Sequence, residues 1–520
     1  MAMRFDHRVW MPNDLNSVGL LSMQGELSPE DTVRLSRIRR AWNFYDGYHW
    51  EEIPPSDKPE ITQNYCRKFV DKFVETEFGK GFYIAYPENI EGEVDVSNRK
   101  KIRDKNDREI DITEYLESVW KDNNKYKFCI ELGQSKSVTG DGWVHVRYFS
   151  KDDLDDPFNE YENGRIRVVV VPTGIVFPEY DPHDKDKLVK VTIAYPIQEE
   201  ETTFTRRTKL KTVIYKIVWT NEYVEEWKGS ELIKRVPNKY GVIPFVQIKN
   251  FPVVGREEGV SDLEDIIPLN VELNTKLSDI SEILDYHSAP ITLVFGAKVS
   301  NLEKGANKVW GGLPKDSRVE NLELRGDLGA CLGYISDLKK TLCEIGSIPQ
   351  DSLGGKMAIS NTSGVALAYA NLPLIERVRV KKVMSKEGLE KVNKLILLIS
   401  LKEGLIKKPD NLSFKEFYDH EVIIPDTLPR DELTELKLIE TEFRLALEHR
   451  EGALKRLGRR NIKAKLKEID KDRRLHPDVY GLDPKTFLQN PDSFINSNKE
   501  GEPKKIVTGD FNSPEPVTDA

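Results

Sequence analysis

The chain has 520 residues, enough for more than one structural region, and its 38% hydrophobic and 32% charged residues suit a folded protein with a wet surface. Its net charge is -9, whereas a protein that grips nucleic acid by neutralising phosphates is normally basic, which argues against a DNA clamp but not against a loose enclosure that lets DNA slide. No apolar run approaches the ~20 residues of a membrane helix, and Met1–Trp10, with Arg4, Asp6, His7 and Arg8, has no apolar core of the kind a secretory signal needs.

The first predicted helix runs from Ser28 to His49, opened by Ser28-Pro29-Glu30-Asp31, a cap followed by Pro at the first position and acids in the first turn. A second, Asn64–Phe78, places Phe69, Val70, Phe73 and Val74 at core spacing. Two more are expected at Ile112–Asn123 and Lys125–Thr139. From Trp143 to Phe251 the pattern turns to period two and β-branched runs, predicting strands at Val144–Tyr148, Ile166–Val171, Leu188–Tyr195, Val213–Trp219, Tyr223–Lys228 and Leu232–Val236, with turns at Asn163-Gly164 and Lys228-Gly229. Helix returns over Ser261–His287, where Leu273, Leu277, Ile280 and Leu284 recur at three and four and Pro268 starts or kinks a segment. Seven acids and one Lys lie between Asp262 and Asp285. Short strands and turns are expected over Ala289–Leu324, helix over Asp327–Ile345, and a loop over Ile348–Thr362. Ser363–Leu405 reads as a long helix of roughly 60 Å. Charged helices at Arg430–Arg450 and Ile462–Arg474 follow, then a Pro-, Gly- and Ser-rich stretch, Asn490–Ala520, expected to be a disordered tail.

Chemical motifs are sparse. Gly354-Gly355-Lys356 departs from a phosphate loop, with Gln350 where the first Gly belongs and Met357 after the Lys. Asp152-Asp153-Leu154-Asp155-Asp156 lacks the Gly and terminal Glu of a calcium loop and reads as a solvated turn. The eight histidines form no HExxH or His/Cys cluster. Cys66, Cys129, Cys331 and Cys343 lie far apart without a CxxC pair, predicting reduced, mostly buried thiols and no zinc site. Trp42, Tyr45 and Tyr48 read as core rather than as stacking platforms. The residues by themselves thus describe an α+β, multi-region protein with no catalytic set, metal or cofactor.

Four elements in order resemble the phage portal family: Gly259-Val260-Ser261-Asp262-Leu263 leading into a helix with Asn270 and Ser278-Asp279; Ala289-Pro290 before a β insert; a helix ending in Gly346-Ser347-Ile348-Pro349; and Ser360-Asn361-Thr362-Ser363-Gly364-Val365-Ala366-Leu367 opening a long helix. Asn43-Phe44-Tyr45-Asp46-Gly47 and Arg450-Glu451-Gly452-Ala453-Leu454 add to the likeness, which covers most of residues 30–475 and looks nearest to portals of long-tailed phages of Gram-positive hosts.

The resemblance implies a non-enzymatic homo-oligomeric ring, usually of twelve subunits, at one capsid vertex of the virion, passing double-stranded DNA during packaging and ejection without reading its sequence. Implied partners are the large terminase subunit, the head-tail connector or adaptor, and major capsid and scaffolding proteins, with assembly in the host cytoplasm and no membrane. A packaging ATPase or nuclease, or another virion connector, is the competing reading. The implied regions are a mixed α/β wing (1–257 and 363–428), two stem helices (258–287 and 327–346), a small β-containing clip (288–326), a tunnel loop (347–362), a helical crown (429–482) and a tail (483–520). DNA-facing loop residues would be Gln350, Ser352, Lys356, Ser360 and Asn361. Stem acids Asp262, Glu272, Asp279, Glu282 and Asp285 would either repel phosphates in the channel or face water and neighbouring subunits. Lys298, Lys304, Lys308, Lys315 and Arg318 would dock the motor or connector, with Trp310 an anchor there or a core residue of the ring. The crown carries thirteen Lys/Arg against seven acids between Lys437 and Arg474, fit for packaged DNA or simply solvated.

Overall fold

Ser28 caps the first helix as its sequence predicts: its side chain accepts from Asp31 N, Pro29 follows, and Gly47 ends the helix in the left-handed region at φ 100°. The computed structural model describes residues 28–51, 58–86, 101–105, 108–151, 164–202, 208–288, 292–295, 316–321, 328–354, 369–410, 412–426, 437–442, 445, 447, 450–456 and 462–475. The chain divides into two compact units, Met1–Pro429 and Arg430–Ala520.

In the first unit α1 (Pro29–Asp46) and α2 (Tyr65–Phe78) precede strand β1 (Tyr83–Ala85), the hairpin of β2 (Lys101–Asp104) and β3 (Glu109–Asp111), and helices α3 (Ile112–Asp122) and α4 (Lys125–Thr139). Strands β4 (Asp141–Phe149) and β5 (Arg165–Val171) follow, then β6 (Val176–Asp181), β7 (Asp184–Thr202), β8 (Thr208–Thr220), β9 (Tyr223–Lys228), β10 (Glu231–Pro237) and β11 (Phe245–Lys249). Helix α5 (Ile266–Ser288), strands β12 (Thr292–Phe295) and β13 (Arg318–Asn321), and helix α6 (Leu328–Ile345) form the next stretch. Helix α7 (Leu372–Lys402), β14 (Ile406–Lys407), the short helix α8 (Phe414–Phe417) and β15 (Glu421–Ile423) complete the unit. All strand pairings are antiparallel. A five-stranded sheet runs β10-β9-β8-β7-β6, two three-stranded sheets run β11-β4-β5 and β14-β2-β3, and β12 pairs with β13 between α5 and α6.

Two large apolar cores meet along α7. Phe44, Phe69, Phe73, Leu273, Leu342, Leu374 and Val378 belong to one, around α1, α2, α5, α6 and the start of α7. Trp120, Leu132, Val144, Ile248, Leu389, Val392 and Ile396 belong to the other, around α3, α4, the three-stranded sheet and the rest of α7. A smaller core of Trp143, Val171, Val191, Ile193 and Phe245 joins the two sheets. Gly388 lets α7 lie close on β11: a Cβ there would stand 2.4 Å from Ile248 Cγ1.

The structure is α+β, as the sequence predicts, with several differences in detail. Helix begins at Ile266 rather than Ser261, with Pro268 in its first turn, where its missing N–H costs nothing. Of the long helix expected over Ser363–Leu405, Leu372–Lys402 forms one helix of 31 residues, about 46 Å, and residues 363–368 lie outside the described residues. Tyr48 is 55% exposed and is not core, whereas Tyr45 is buried. In the second unit, residues 437–442 are helical, Leu445 and Leu447 are not, and α9 (Arg450–Arg456) and α10 (Ile462–Leu475) follow; the other residues of the helix expected over Arg430–Arg450 lie outside the described residues. Arg450 Nη1 and Asp470 Oδ1, 3.4 Å apart, link those two helices.

Candidate functional site

The α5/α6 pair is a helical hairpin, and its two ends are fastened to α7 by one charge cluster. Asp262 lies just before α5, with its side chain at 0% exposure. Lys381 Nζ stands 2.6 Å from its Oδ2, and Arg377 Nη2 stands 3.0 Å from its Oδ1. The same Arg377 donates from Nη1 to the Ile345 carbonyl at 3.3 Å, in the last turn of α6. One guanidinium thus holds the start of the hairpin and its end, where a helix C-terminus favours a cation.

The cluster continues inward. Lys381 Nζ donates to Ser137 Oγ at 2.7 Å, and Asp262 N to Ser137 O at 2.9 Å. Lys136, also fully buried, pairs with Glu77, and Ser385 Oγ donates to Glu77 Oε1 at 2.7 Å. Desolvation alone would raise the Asp262 carboxyl, but Lys381 and Arg377 outweigh it and hold the group below the ordinary carboxylate range. Burial, partly countered by Glu77, lowers Lys136 to about 8. The cluster sits on the seam between the two apolar cores, where α7 buries Lys381 and Ser385 within a mostly apolar stripe.

The motif Gly259–Leu263 has a structural reason at each of several positions. A Cβ on Gly259 would stand 2.3 Å from Gly140 O. Ser261 Oγ donates to Val138 O at 2.6 Å and accepts from Leu263 N at 3.0 Å. Asp141 Oδ1 accepts from Gly259 N at 3.1 Å and from Gln247 Nε2 at 2.9 Å. Burial pushes the Asp141 carboxyl up to about 7. A cavity of about 210 Å³ beside it is lined by charges that pair with one another, Arg34 and Arg37 both meeting Glu258 at 3.4 and 2.7 Å.

A polar ladder on α5 seats the hairpin on the body. Asn270 Oδ1 accepts from Tyr65 N at 2.9 Å and Cys66 N at 3.3 Å, satisfying donors at the start of α2 that the helix itself leaves open. Asn274 Oδ1 accepts from Gln63 N at 2.9 Å, and its Nδ2 lies 2.7 Å from His49 Nδ1. Ser278 Oγ accepts from Ile61 N at 3.3 Å. The sequence pattern shows only the apolar stripe of this helix; the signal for the ladder is the i, i+4, i+8 spacing of Asn270, Asn274 and Ser278.

The acids expected to line a channel therefore have different fates. Asp262 is a correction: buried and neutralised by two cations, it faces no solvent. Asp279 meets Lys58 at 2.7 Å and Lys276 at 3.3 Å, and the hydrogen bond from Lys58 is the main reason its carboxyl is lowered. Glu282 stands 3.4 Å from Lys58 at 58% side-chain exposure. Glu272 accepts from Tyr334 Oη at 3.4 Å, and Asp285 is exposed.

In the loop after α6, Gln350 and Ser352 lie in a 3-10 turn, Gln350 exposed and Ser352 Oγ donating to Asn371 Oδ1 at 2.6 Å. Ile348, the first residue of the stretch expected to be a loop, is buried at 1% and anchors it to the apolar core. Lys356, Ser360 and Asn361 lie outside the described residues. So do Lys298, Lys304, Lys308, Trp310 and Lys315 of the insert, whereas Arg318 opens β13 and pairs with Glu320. Cys66, Cys129 and Cys343 are buried and Cys331 is exposed. Among the described residues no cluster of three or more His, Cys, Asp or Glu could hold a metal, and no helix is long and apolar enough to cross a membrane.

Residues 24–475 match the family model described as Phage portal protein, SPP1 Gp6-like. Comparison with curated proteins returns no match. Among solved structures, a chain from "Neck of empty GTA particle computed with C6 symmetry" aligns over 76% of this chain and 89% of its own length, at 12% identity and a TM-score of 0.39, a likeness too low to carry an argument.

Proposed function

The chain belongs to the SPP1 Gp6-like phage portal protein family, and from that premise we propose that twelve copies close into a ring whose α5/α6 hairpins surround a passage for double-stranded DNA. The ring belongs at the capsid-to-tail connection of the virion, and the family is structural rather than enzymatic. In this reading residues 258–287 and 327–346 are the stem, 288–326 the clip that meets the large terminase subunit and then the head-tail connector, 347–362 the tunnel loop, and 429–482 the crown. The remaining body, 1–257 and 363–428, is the wing that meets capsid and scaffolding proteins. Assembly takes place in the host cytoplasm.

The observation that best supports the reading is the double attachment of the hairpin through Arg377. A hairpin that must keep its place while DNA moves past it needs both ends held by the body, and this one has both on a single guanidinium. Electrostatics agrees. Each phosphate neutralised by a wall would add to capture through counterion release, while the one Lys of α5, Lys276, is paired with Asp279, and Glu282 and Asp285 are exposed acids. Electron microscopy of the purified full chain tests the reading. Rings with a central hole wide enough for duplex DNA, inactive as an ATPase without added terminase, are expected; particles without a hole, or sustained ATP turnover, would overturn it.

A further inference from the structure

The five-stranded sheet does not end evenly. β6 pairs with β7 only as far as Ile193, opposite Val176. β9 pairs with β8 only from Tyr215 onward, and Gly229 N adds one last bond to Ile214 O at 2.7 Å. β7 and β8 nevertheless continue to pair with each other through Pro196↔Ile214 to Thr202↔Thr208. At about 3.3 Å per residue this leaves a ribbon of two strands projecting roughly 20 Å past the sheet. Neither outer edge of that ribbon has a strand beside it among the described residues. Two strands alone are marginal in water, and an open edge carries unpaired backbone donors and acceptors. Pro196, which has no N–H, falls at the base of the overhang, a position for proline typical of an edge.

The two edges differ in charge. The β7 edge carries Glu199, Glu200 and Glu201 in succession, and the β8 edge carries Lys209 and Lys211 at the facing register positions. A ring of identical copies is joined head to tail, so each junction brings two different surfaces together, one from each neighbour. We infer that the β7–β8 ribbon is a subunit-joining arm, in which the acidic β7 edge of one copy adds alongside the basic β8 edge of the next copy. Strand addition then satisfies the open backbone groups, and neighbouring strands set Glu positions beside Lys positions at the ~5 Å spacing of a sheet. Repeated around the axis, the arms form a continuous belt of strands. This inference rests on the ring reading given above.

Two variants test it. The first is the triple substitution Glu199→Lys, Glu200→Lys, Glu201→Lys, and the second is Lys209→Glu with Lys211→Glu. Each puts like charges on both edges of its own ribbon. Each alone is expected to keep its far-ultraviolet circular dichroism and lose its rings by native mass spectrometry. An equimolar mixture of the two is expected to regain rings containing both chains, because every junction between unlike copies again sets Glu beside Lys. That recovery cannot come from repair within one ribbon, since each chain keeps its like-charged arm. Rings formed normally by either variant alone, or no recovery on mixing two folded variants, would overturn the inference. A wild-type chain that forms no ring would instead refute the ring itself.

Discussion

Asp141 shows how one residue can be set against its solvent-exposed habits. It begins β4 at 3% exposure and accepts from Gly259 N and Gln247 Nε2, while Glu258 lies near and Lys249 only partly offsets it. Burial raises its carboxyl from 3.8 to about 7 in the folded chain. The unfolded chain therefore loses this proton first, and from about pH 4 to 7 the folded state binds more protons than the unfolded one. The stability this group contributes is complete below pH 4 and is lost as pH rises through 7. Asp141→Asn keeps an acceptor for both donors without the charge. Thermal melting should show the variant gaining on the wild type between pH 5 and pH 8; a difference independent of pH would contradict the assignment.

At the scale of elements, the telling feature is the joint between the hairpin and α7. Removing the Asp262 carboxylate leaves Lys381 buried without its counter-charge, so Asp262→Ala should cost about 3–5 kcal/mol by chemical denaturation. Lys381→Met added to Asp262→Leu should recover part of that loss, because the fully buried ammonium is then gone, while Arg377, 24% exposed, keeps the Ile345 carbonyl and water. A single variant as stable as the wild type would show that the joint carries no strain of this kind. This joint is also where the sequence misleads. Helices α1 to α4, which open on capping residues, are legible, as are β4, β5, β8 and β9. The strands β1, β14 and β15 are not, because they exist only through pairing with distant segments, and β2 and β3 form a local hairpin too short to show a period of two. Asp262 counts as one more surface acid when charges are summed along a helix. Its burial could have been suspected from Lys381 and Ser385, which fall at four-residue spacing inside the apolar stripe of Val378, Leu389 and Val392.

At the scale of the whole molecule, family membership and net charge bear on the same property. A chain with a net charge of -9 has no global reason to hold DNA, and α5 and the turn before it present acids that are either exposed or paired locally. The site was therefore legible as an ordered set of regions, Gly259–Leu263 and Gly346–Pro349 above all, more than as individual side chains. What the motifs specify turns out to be attachment: a close backbone approach at Gly259, a cap by Ser261, a buried ion pair at Asp262 and an apolar anchor at Ile348.

The passage itself is tested most directly by the salt dependence of duplex binding to purified rings, read by fluorescence anisotropy of a labelled linear duplex. A conduit that lets DNA slide should bind weakly, with log affinity falling against log salt at a slope no steeper than about -2, equivalent to one or two phosphate contacts. Tight binding with a slope of about -5 or steeper would mean that the ring grips the duplex, and the account of a passage that does not hold its cargo would fail.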